Sequence, residues 1–243
     1  MTTTLTTVWR AIGEVTCTRL SSERRVFHLE RLSESQRASL QEAVTEFHSQ
    51  LPGSPAETHL EERGFLADGL AEATAKFRLG YVGDPLPGFE RYQGMLAIPY
   101  LRWHPRHGWS CVSLRFRRLG ESGPKYQTMP GDRPRLFNAQ ALNAPVREVG
   151  ITEGELDAVT ATICGLPTVG VPGATSWKPH FEELFRGYRT VYVFTDGDEP
   201  GEKFGYQLAA AMSNVKVIPS KPGEDLNSIL MSDGPGAVAE RFK

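Results

Sequence analysis

The two stretches EVGITEGELDAVTATICGLPTVGV (148–171) and TVYVFTDGDEPGEKFGYQLA (190–209) decide the fold. In both, short apolar runs typical of buried strands alternate with longer segments of helical spacing. Strands separated by helices of about ten to fifteen residues are typical of right-handed βαβ units and a parallel sheet. We therefore expect an α/β domain with a parallel sheet of about four strands flanked by helices. The predicted strands are 148–152, 168–171, 190–195 and 215–218, and the predicted helices lie near 155–164, 178–186 and 201–213.

Carboxylates follow three of these four strands. Glu153 comes after the first strand, and Asp196 and Asp198 come after the third. Asp225 lies in the segment that follows the fourth strand. Residues just beyond the carboxyl ends of parallel strands line the ligand crevice, and Gly197 is expected to let the backbone turn so that both neighbouring aspartates point at one centre. Oxygen ligands without His or Cys are those that Mg²⁺ prefers, so the sequence predicts a magnesium site at this edge.

Helix capping is a second interpretation of the same acids. Asp198 and Glu153 stand where the following helices would begin, and the helix dipole favours a carboxylate there. Either cap alone would be ordinary. Three acidic sites on one sheet edge favour the metal site, with capping as a secondary role.

Charge is unevenly divided along the chain, although the net charge is only −2. Residues 1–90 hold 9 Lys and Arg against 13 Asp and Glu, residues 91–147 hold 10 against 2, and residues 148–243 hold 8 against 14. A basic block beside an acidic block predicts a surface for polyanions next to a carboxylate site, although a solvated charged face remains an alternative. The predicted organisation is a mainly helical N-terminal region over 1–90, a basic β-rich part over 91–147 and the α/β domain over 148–243.

The N-terminal region carries two helix start signals. Ser33 with Gln36 has the form of a capping box, and an apolar stripe follows it. Ser54 before Pro55 marks a second helix start. Together with the basic block, these helices predict an α+β lobe ahead of the α/β domain.

The basic block predicts a β-hairpin formed by GMLAIPYLRW (94–103) and WSCVSLRFRRL (109–119). Alternation in the second strand would put Cys111, Ser113, Arg115 and Arg117 on one face. Arginine suits phosphate through its two-pronged fork, so this face is predicted to bind a nucleotide or nucleic acid.

Composition excludes several protein classes. The chain has 243 residues, of which 40% are hydrophobic and 23% charged, as in a globular protein. It has no apolar run of about 18 residues and no secretory leader, so no membrane association is expected. The odd and widely spaced cysteines Cys17, Cys111 and Cys164 predict neither a disulfide framework nor a zinc site, which favours a reducing cytoplasm.

Three segments together resemble the acidic motifs of the TOPRIM domain, which is found in topoisomerases, primases and some nucleases. They are ITEGELDAVTA (151–161), FTDGDEPGEKFGYQLA (194–209) and KPGEDLNSIL (221–230). The glutamate, the Asp-x-Asp followed by Pro-Gly, and the later Gly-x-Asp occur in the family's order, each after a predicted strand. The resemblance covers roughly residues 146–233.

Upstream segments resemble elements of bacterial-type replicative primases, and the similarity extends over about residues 33–233. ITEGELDAVT is closest to the primase half of phage primase-helicase proteins. The YLxxRG, F-x-x-GYA and proline-ended strand elements have counterparts here, as does the segment that ends in PKYxNS. These counterparts are HLEERGF (59–65), FRLGYV (77–82), AIPY (97–100) and RFRRLGESGPKYQTMP (115–130).

This resemblance implies roles for particular residues. Glu153 resembles the acid/base or metal-bound glutamate, and the three aspartates Asp196, Asp198 and Asp225 resemble metal ligands. The basic residues Arg117 and Lys125 match those that hold nucleotide or template, Arg63 matches the arginine of YLxxRG, and Arg115 lies on the same predicted face as Arg117. Two positions depart from the family: Thr128 stands where PKYxNS has asparagine, and Asn227 stands where cellular primases usually carry another acid.

The resemblance implies a DNA primase, a nucleotidyltransferase that makes RNA primers in DNA replication. It implies a single-stranded DNA template, ribonucleoside triphosphates, and Mg²⁺ or Mn²⁺ with two ions present when substrate is bound. It implies a location in the cytoplasm of a bacterium or a phage-infected bacterial cell. Relatives carry a zinc ribbon, but the missing cysteine pairs predict no zinc here. The chain shows no zinc ribbon and no phosphate loop of a helicase motor, so a separate helicase or zinc-bearing partner is expected. Residues 1–32 match no motif, and the acidic segment 1–60 is the expected docking surface.

Other functions remain open. A TOPRIM nuclease would use the same carboxylates, although the upstream primase-like elements disfavour it. A topoisomerase would need a tyrosine nucleophile on a large separate domain and ranks last. A non-catalytic nucleic-acid-binding replication module would need a degenerate site, whereas all the acidic positions are present.

Overall fold

Two four-stranded sheets carry the structure, a computed structural model that describes residues 32–104 and 108–243 apart from the side chains of His104 and Ala174. The first sheet is antiparallel, in the order β1 (Gly80–Tyr81), β2 (Met95–His104), β3 (Gly108–Arg118) and β4 (Tyr126–Thr128). The second is parallel, with strand order β6-β5-β7-β8, and comprises β5 (Glu148–Thr152), β6 (Thr168–Gly170), β7 (Thr190–Thr195) and β8 (Val215–Pro219). The predicted fold class, an α+β lobe followed by an α/β domain with a parallel sheet, is confirmed.

Residues 32–243 form one compact unit. Residues 1–31 lie outside the described part, so the predicted docking segment 1–60 is described only from residue 32. None of the helices in the described residues has the length and apolar character needed to cross a membrane.

The helices follow the expected order with two differences. The α-helices are α1 (Glu34–Ser49), α2 (Pro55–Glu61), α3 (Ala71–Ala75), α4 (Glu155–Ile163), α5 (Glu199–Ala211) and α6 (Leu226–Glu240). The helix predicted near 178–186 is a 3-10 helix over Pro179–Phe185. α6 is a helix that the sequence patterns did not predict. It is broken at Gly234, which has a left-handed φ of 81° and is followed by Pro235, a residue that cannot donate a backbone hydrogen bond.

The capping signals predicted for the N-terminal region are confirmed. Ser33 and Gln36 form both hydrogen bonds of a capping box at the start of α1. Ser54 caps α2, with Pro55 in the first turn. The buried face of α1, which includes Val44 and Phe47, packs with residues of β2 and β3 in one hydrophobic cluster. This face therefore covers one side of the antiparallel sheet.

The other side of the antiparallel sheet shares a core with the parallel sheet. Ile98 and Tyr100 of β2 belong to the same buried cluster as Leu156 and Val159 of α4 and Leu226 of α6. One hydrophobic cluster therefore joins the basic part of the chain to the acidic part. This shared core sets the position of each part relative to the other.

A β-bulge corrects the predicted alternation of β3. Tyr100 pairs with Ser113 and Leu101 pairs with Cys111, so Val112 is the extra residue. Cys111 therefore turns to the side of α1 and is buried there, and its predicted place on the arginine face is wrong. Arg115 and Arg117 keep the predicted common face, because both lie beyond the bulge and pair with Ile98 and Leu96.

A buried ion pair connects helix α4 to the antiparallel sheet. Glu155, at the start of α4, is fully buried. Its Oε1 atom accepts a hydrogen bond of 2.7 Å from Tyr100 Oη and a second one from Arg115 Nη1. The Tyr100 hydroxyl has a pKa raised well above 10, first by burial and then by the Glu155 charge, so it stays a donor. The carboxylate is thus held by one donor from each central strand of the antiparallel sheet.

We predict that Arg115→Ala destabilises the protein by about 3–5 kcal/mol, because it leaves the Glu155 charge buried with one of its donors removed. Arg186→Ala is the control, since Arg186 and Glu183 form a largely exposed ion pair worth about 0–1 kcal/mol. Urea unfolding of both variants gives the free energies. Equal losses in the two variants would contradict a structural function for the buried pair.

Candidate active site

The carboxyl edge of the parallel sheet brings the first two predicted acids together. β5 and β7 are neighbours with Thr152 opposite Phe194, so Glu153 and Asp196 leave adjacent strands at the same end. Burial, followed by the charges of Asp196 and Asp198, raises the pKa of Glu153 to about 7. Burial also raises the pKa of Asp196, with further contributions from Asp198 and Asp225. The four acids predicted at this edge therefore lie close enough to influence one another.

Two of these acids also cap helices. Asp198 is the N-cap of α5 and accepts a 2.9 Å hydrogen bond from the Gly201 N–H. Asp225 is the N-cap of α6 and forms a reciprocal capping box with Ser228. The predicted cap at Asp198 is confirmed. The predicted cap at Glu153 is wrong, because Gly154 occupies the N-cap of α4 and leaves the Glu153 side chain for other contacts.

Asp157 is an acid of this site that the sequence analysis missed. Burial, followed by the charges of Asp225 and Asp196, raises its pKa to about 7, and Arg63 opposes that rise. It lies four residues after Glu153, in the first turn of α4, which begins at the same edge of the sheet. That spacing was the available signal. The other acids of the site follow strands, whereas Asp157 lies inside a helix, and strand ends alone do not predict it.

Gly197 serves a purpose other than the predicted one. Its φ is not left-handed, so the turn itself does not require glycine. A Cβ atom at this position would lie 2.0 Å from the backbone oxygen of Lys221 and would clash with it. Glycine therefore lets the loop that leads to Asp225 approach the turn that carries Asp196.

A cationic group faces these carboxylates. Arg63 Nη1 donates to Asn227 Oδ1 at 3.0 Å, and Asn227 Nδ2 donates back to the Arg63 carbonyl at 2.9 Å. Arg63 Nε also lies 3.1 Å from Nε2 of His59. Burial, followed by the charges of Arg63, Arg117 and Lys125, lowers the pKa of His59 to about 4. The imidazole is therefore neutral near pH 7, and the three cations converge around it.

The cations and the carboxylates share one cleft. Burial, followed by Arg117 and Arg63, lowers the pKa of Lys125, whereas Asp157 and Asp196 raise it. Arg117 is buried and donates to Tyr126 Oη at 2.7 Å. Arg63, Arg117 and Lys125 thus lie together beside the acids. Arg115, the fourth predicted basic residue, bonds Glu155 instead.

The chemistry of these donors fits a hard cation. In residues 32–104 and 108–243, no three His, Cys, Asp or Glu side chains are gathered so that they could hold a metal ion alone. However, Glu153 Oε1, Asp157 Oδ1 and Thr195 Oγ1 are buried oxygens without a hydrogen-bond partner in that part of the chain. Mg²⁺ usually binds through one or two carboxylates and takes its other ligands from water and substrate phosphates. Glu153, Asp157 and Asp196 are the residues that would hold it here.

Comparison with known proteins identifies relatives of this chain. A Toprim-like protein family matches residues 150–230, which include all the acids described above. The Gene 57 protein of Mycobacterium phage D29 is 55% identical over 151 residues, covering 62% of this chain and 99% of that protein.

Solved primase structures share the fold. The RNA polymerase domain of Mycobacterium tuberculosis primase DnaG in complex with double-stranded DNA matches with a TM-score of 0.68 and 20% identity, covering 86% of this chain and 80% of that chain. The DnaG primase catalytic domain bound to single-stranded DNA matches with a TM-score of 0.65 and 20% identity, covering 86% and 82%. At this identity, the likeness shows a common fold.

We predict that Gly197→Ala destabilises the protein by about 1–3 kcal/mol, because the new methyl group must push the Lys221 backbone away. Gly187→Ala is the matched control, since a Cβ there meets nothing within 4 Å and should change stability by no more than about 1 kcal/mol. Thermal unfolding of both variants provides the measurement. A Gly197→Ala protein as stable as the control would contradict the close approach of the two loops.

Proposed function

This chain belongs to the same family as the Gene 57 protein of Mycobacterium phage D29, with a Toprim-like segment in the fold of a primase catalytic core, and from that premise we propose that it is a DNA primase. Its reaction would be template-directed synthesis of short RNA primers from ribonucleoside triphosphates. One observation carries this proposal: the carboxylates Glu153, Asp157 and Asp196 lie in one cleft with the cations Arg63 and Lys125. A transferase that joins nucleotides needs both charges side by side.

The carboxylates serve the reacting end of the nucleotides. Magnesium or manganese, with two ions present when substrate is bound, would lower the pKa of the attacking 3′-hydroxyl and neutralise the pyrophosphate leaving group. Glu153 and Asp196 follow adjacent strands, so the sheet positions their backbones side by side. Asp198 and Asp225 are fixed by their capping bonds. The fold thus gathers these carboxylates before substrate binds, as a functional site requires.

The basic residues serve the phosphates. Arg63 is held by Asn227 and keeps a charged guanidinium beside Asp157 and Asp225. Lys125 carries a mobile point charge that can follow a triphosphate. Arg117, stacked near Tyr126, is suited to a phosphate of the template strand. A single-stranded DNA template is supported by the solved relatives bound to DNA.

The biological setting follows from the same proposal. A phage relative and a primase-like fold support replication in the cytoplasm of a phage-infected bacterial cell. A separate helicase or zinc-bearing partner stays a prediction from the family resemblance. A Toprim-type nuclease would use the same carboxylates and would cleave the DNA strand instead of making RNA.

We predict that Asp196→Asn, Asp198→Asn and Glu153→Gln each reduce primer synthesis by about a hundredfold or more, because each removes a carboxylate charge from the metal-binding edge. Asparagine caps helices about as well as aspartate, so Asp198→Asn keeps the start of α5 while it changes the chemistry. Incorporation of labelled ribonucleotides on single-stranded DNA, measured with Mg²⁺ and with Mn²⁺, provides the test. Full synthesis by a folded Asp196→Asn/Asp198→Asn protein would falsify this assignment.

We predict that Arg117→Ala and Lys125→Ala weaken single-stranded DNA binding and reduce its salt dependence. Each lost phosphate contact should lower the slope of log affinity against log salt by roughly 0.7. Arg186→Ala is the control, because that arginine is exposed and paired with Glu183. Fluorescence anisotropy at several salt concentrations measures the slopes. Slopes that match the wild type in both variants would mean that these residues do not contact the strand.

A further inference from the structure

A second cationic pocket lies beside the acidic cleft. It has a volume of about 170 Å³ and opens between the antiparallel sheet, the segment 132–135 and the loop after β6. Three arginines line it, Arg115, Arg133 and Arg135. The hydroxyls of Ser113 and Ser176 in the lining already donate to Asp132 and to the Pro172 carbonyl, so the arginines are the donors left for a ligand. Guanidinium groups around a small cavity are donors suited to phosphate.

Asp132 organises this pocket. It accepts hydrogen bonds from Ser113 Oγ, from the Arg133 N–H at 3.0 Å and from Arg135 Nε at 3.2 Å. Both carboxylate oxygens are therefore engaged. The bond to Arg135 uses Nε and fixes the plane of the guanidinium, so its terminal nitrogens are the part that can meet an anion. Asp132, the one acid in the lining, therefore orients the Arg135 guanidinium.

The pocket concentrates positive charge. The pKa of the Arg102 guanidinium is lowered first by burial and then by the charge of Arg135, so the two cations are close. Arg115 is paired with Glu155, yet its buried Nε has no hydrogen-bond partner in the described residues. A bound anion would relieve the repulsion between Arg102 and Arg135 and could satisfy that donor.

The position of the pocket relates it to the reaction. Pro172 and Ser176 line it from the loop that follows β6. In that loop, the Gly173 N–H donates to the Glu153 carbonyl at 3.2 Å. Arg115 also stands two residues from Arg117 on one face of β3, about 7 Å apart along a strand. The pocket therefore lies near Glu153 and near the cations Arg117 and Lys125.

The first bond of a primer requires two nucleotides with different fates. The 3′-oxygen of the initiating nucleotide bonds to the α-phosphorus of the incoming one, the bond from that phosphorus to the bridging oxygen breaks, and pyrophosphate leaves. The proton of the 3′-hydroxyl passes to water. The initiating nucleotide keeps its own 5′-triphosphate, which must be held away from the reacting carboxylates by a separate group of cations.

We propose that the pocket of Arg115, Arg133 and Arg135 holds the unreacted 5′-triphosphate of the initiating nucleotide. This assignment rests on the proposed primase function and adds a second nucleotide subsite to it. It makes initiation, and not elongation, depend on the pocket. A primer that begins with a 5′-hydroxyl carries no triphosphate, so its extension should not depend on the pocket.

Direct binding provides the first test. Inorganic tripolyphosphate is titrated into the full chain by calorimetry, with EDTA present so that no metal contributes. We expect Arg133→Ala/Arg135→Ala to weaken binding by about tenfold or more, equivalent to about 1.4 kcal/mol or more. Arg133→Ala alone, at an exposed position, guards against misfolding, and Arg186→Ala is the matched control. Equal affinity in all variants would overturn the pocket as an anion site.

Initiation kinetics provide the second test. Synthesis from ribonucleoside triphosphates alone is compared with extension of an RNA trinucleotide that carries a 5′-hydroxyl. We expect Arg133→Ala/Arg135→Ala to reduce new initiation by about tenfold and to change extension by less than about twofold. Equal losses in both reactions, with a smaller salt slope for DNA binding, would assign the pocket to the template backbone and overturn the proposal. If wild-type protein bound tripolyphosphate in the pocket but made no primers, the primase function and the initiating-nucleotide assignment would both fall, while the anion site would stand.

Discussion

The buried carboxylate of Glu155 is the constraint on which the site depends. It is fully buried and held by Tyr100 and Arg115, one residue from each central strand of the antiparallel sheet. Burying this charge costs several kcal/mol unless its donors are in place, so moving α4 away from the antiparallel sheet would leave the carboxylate without them. Glu153 and Asp157 flank Glu155 in the sequence. The bond that fixes Glu155 therefore also positions the start of α4, the helix that carries Asp157 and begins two residues after Glu153.

The second constraint is repulsion among the acids themselves. Burial and mutual repulsion raise the pKa values of both Glu153 and Asp157 to about 7. When folding raises the pKa of a carboxyl group, the folded protein loses stability as the pH rises from the group's unfolded pKa, near 4, towards its folded pKa of about 7. Nearby cations offset this loss, because Arg63 and Lys125 interact favourably with the ionised acids of the cleft. The positive charges that stabilise these ionised acids in the folded protein can also bind the phosphates of a substrate.

The sequence predicts the parts of this site that obey regular periodicity. The parallel strands and the acids after them, Glu153 and Asp196, follow from short apolar runs and the geometry of strand ends. Asp157 and Glu155 lie in a helix, where the inward face depends on what packs against it, so their different environments needed the structure. Arg115 and Arg117 share a face of β3 and have the same chemistry, and only their neighbours give one a buried partner and the other a place beside the cleft. The bulge at Val112 and the contact of Gly197 with Lys221 are likewise products of tertiary packing.

The central claim is that one cleft combines oxygen ligands with phosphate-binding cations in order to join nucleotides. The most direct measurement follows a labelled single-stranded DNA and labelled ribonucleotides in one reaction with wild-type protein and Mg²⁺. The account predicts RNA products that depend on the template sequence, while the DNA remains intact. Cleaved DNA without template-dependent RNA would contradict the account and assign the carboxylates to hydrolysis.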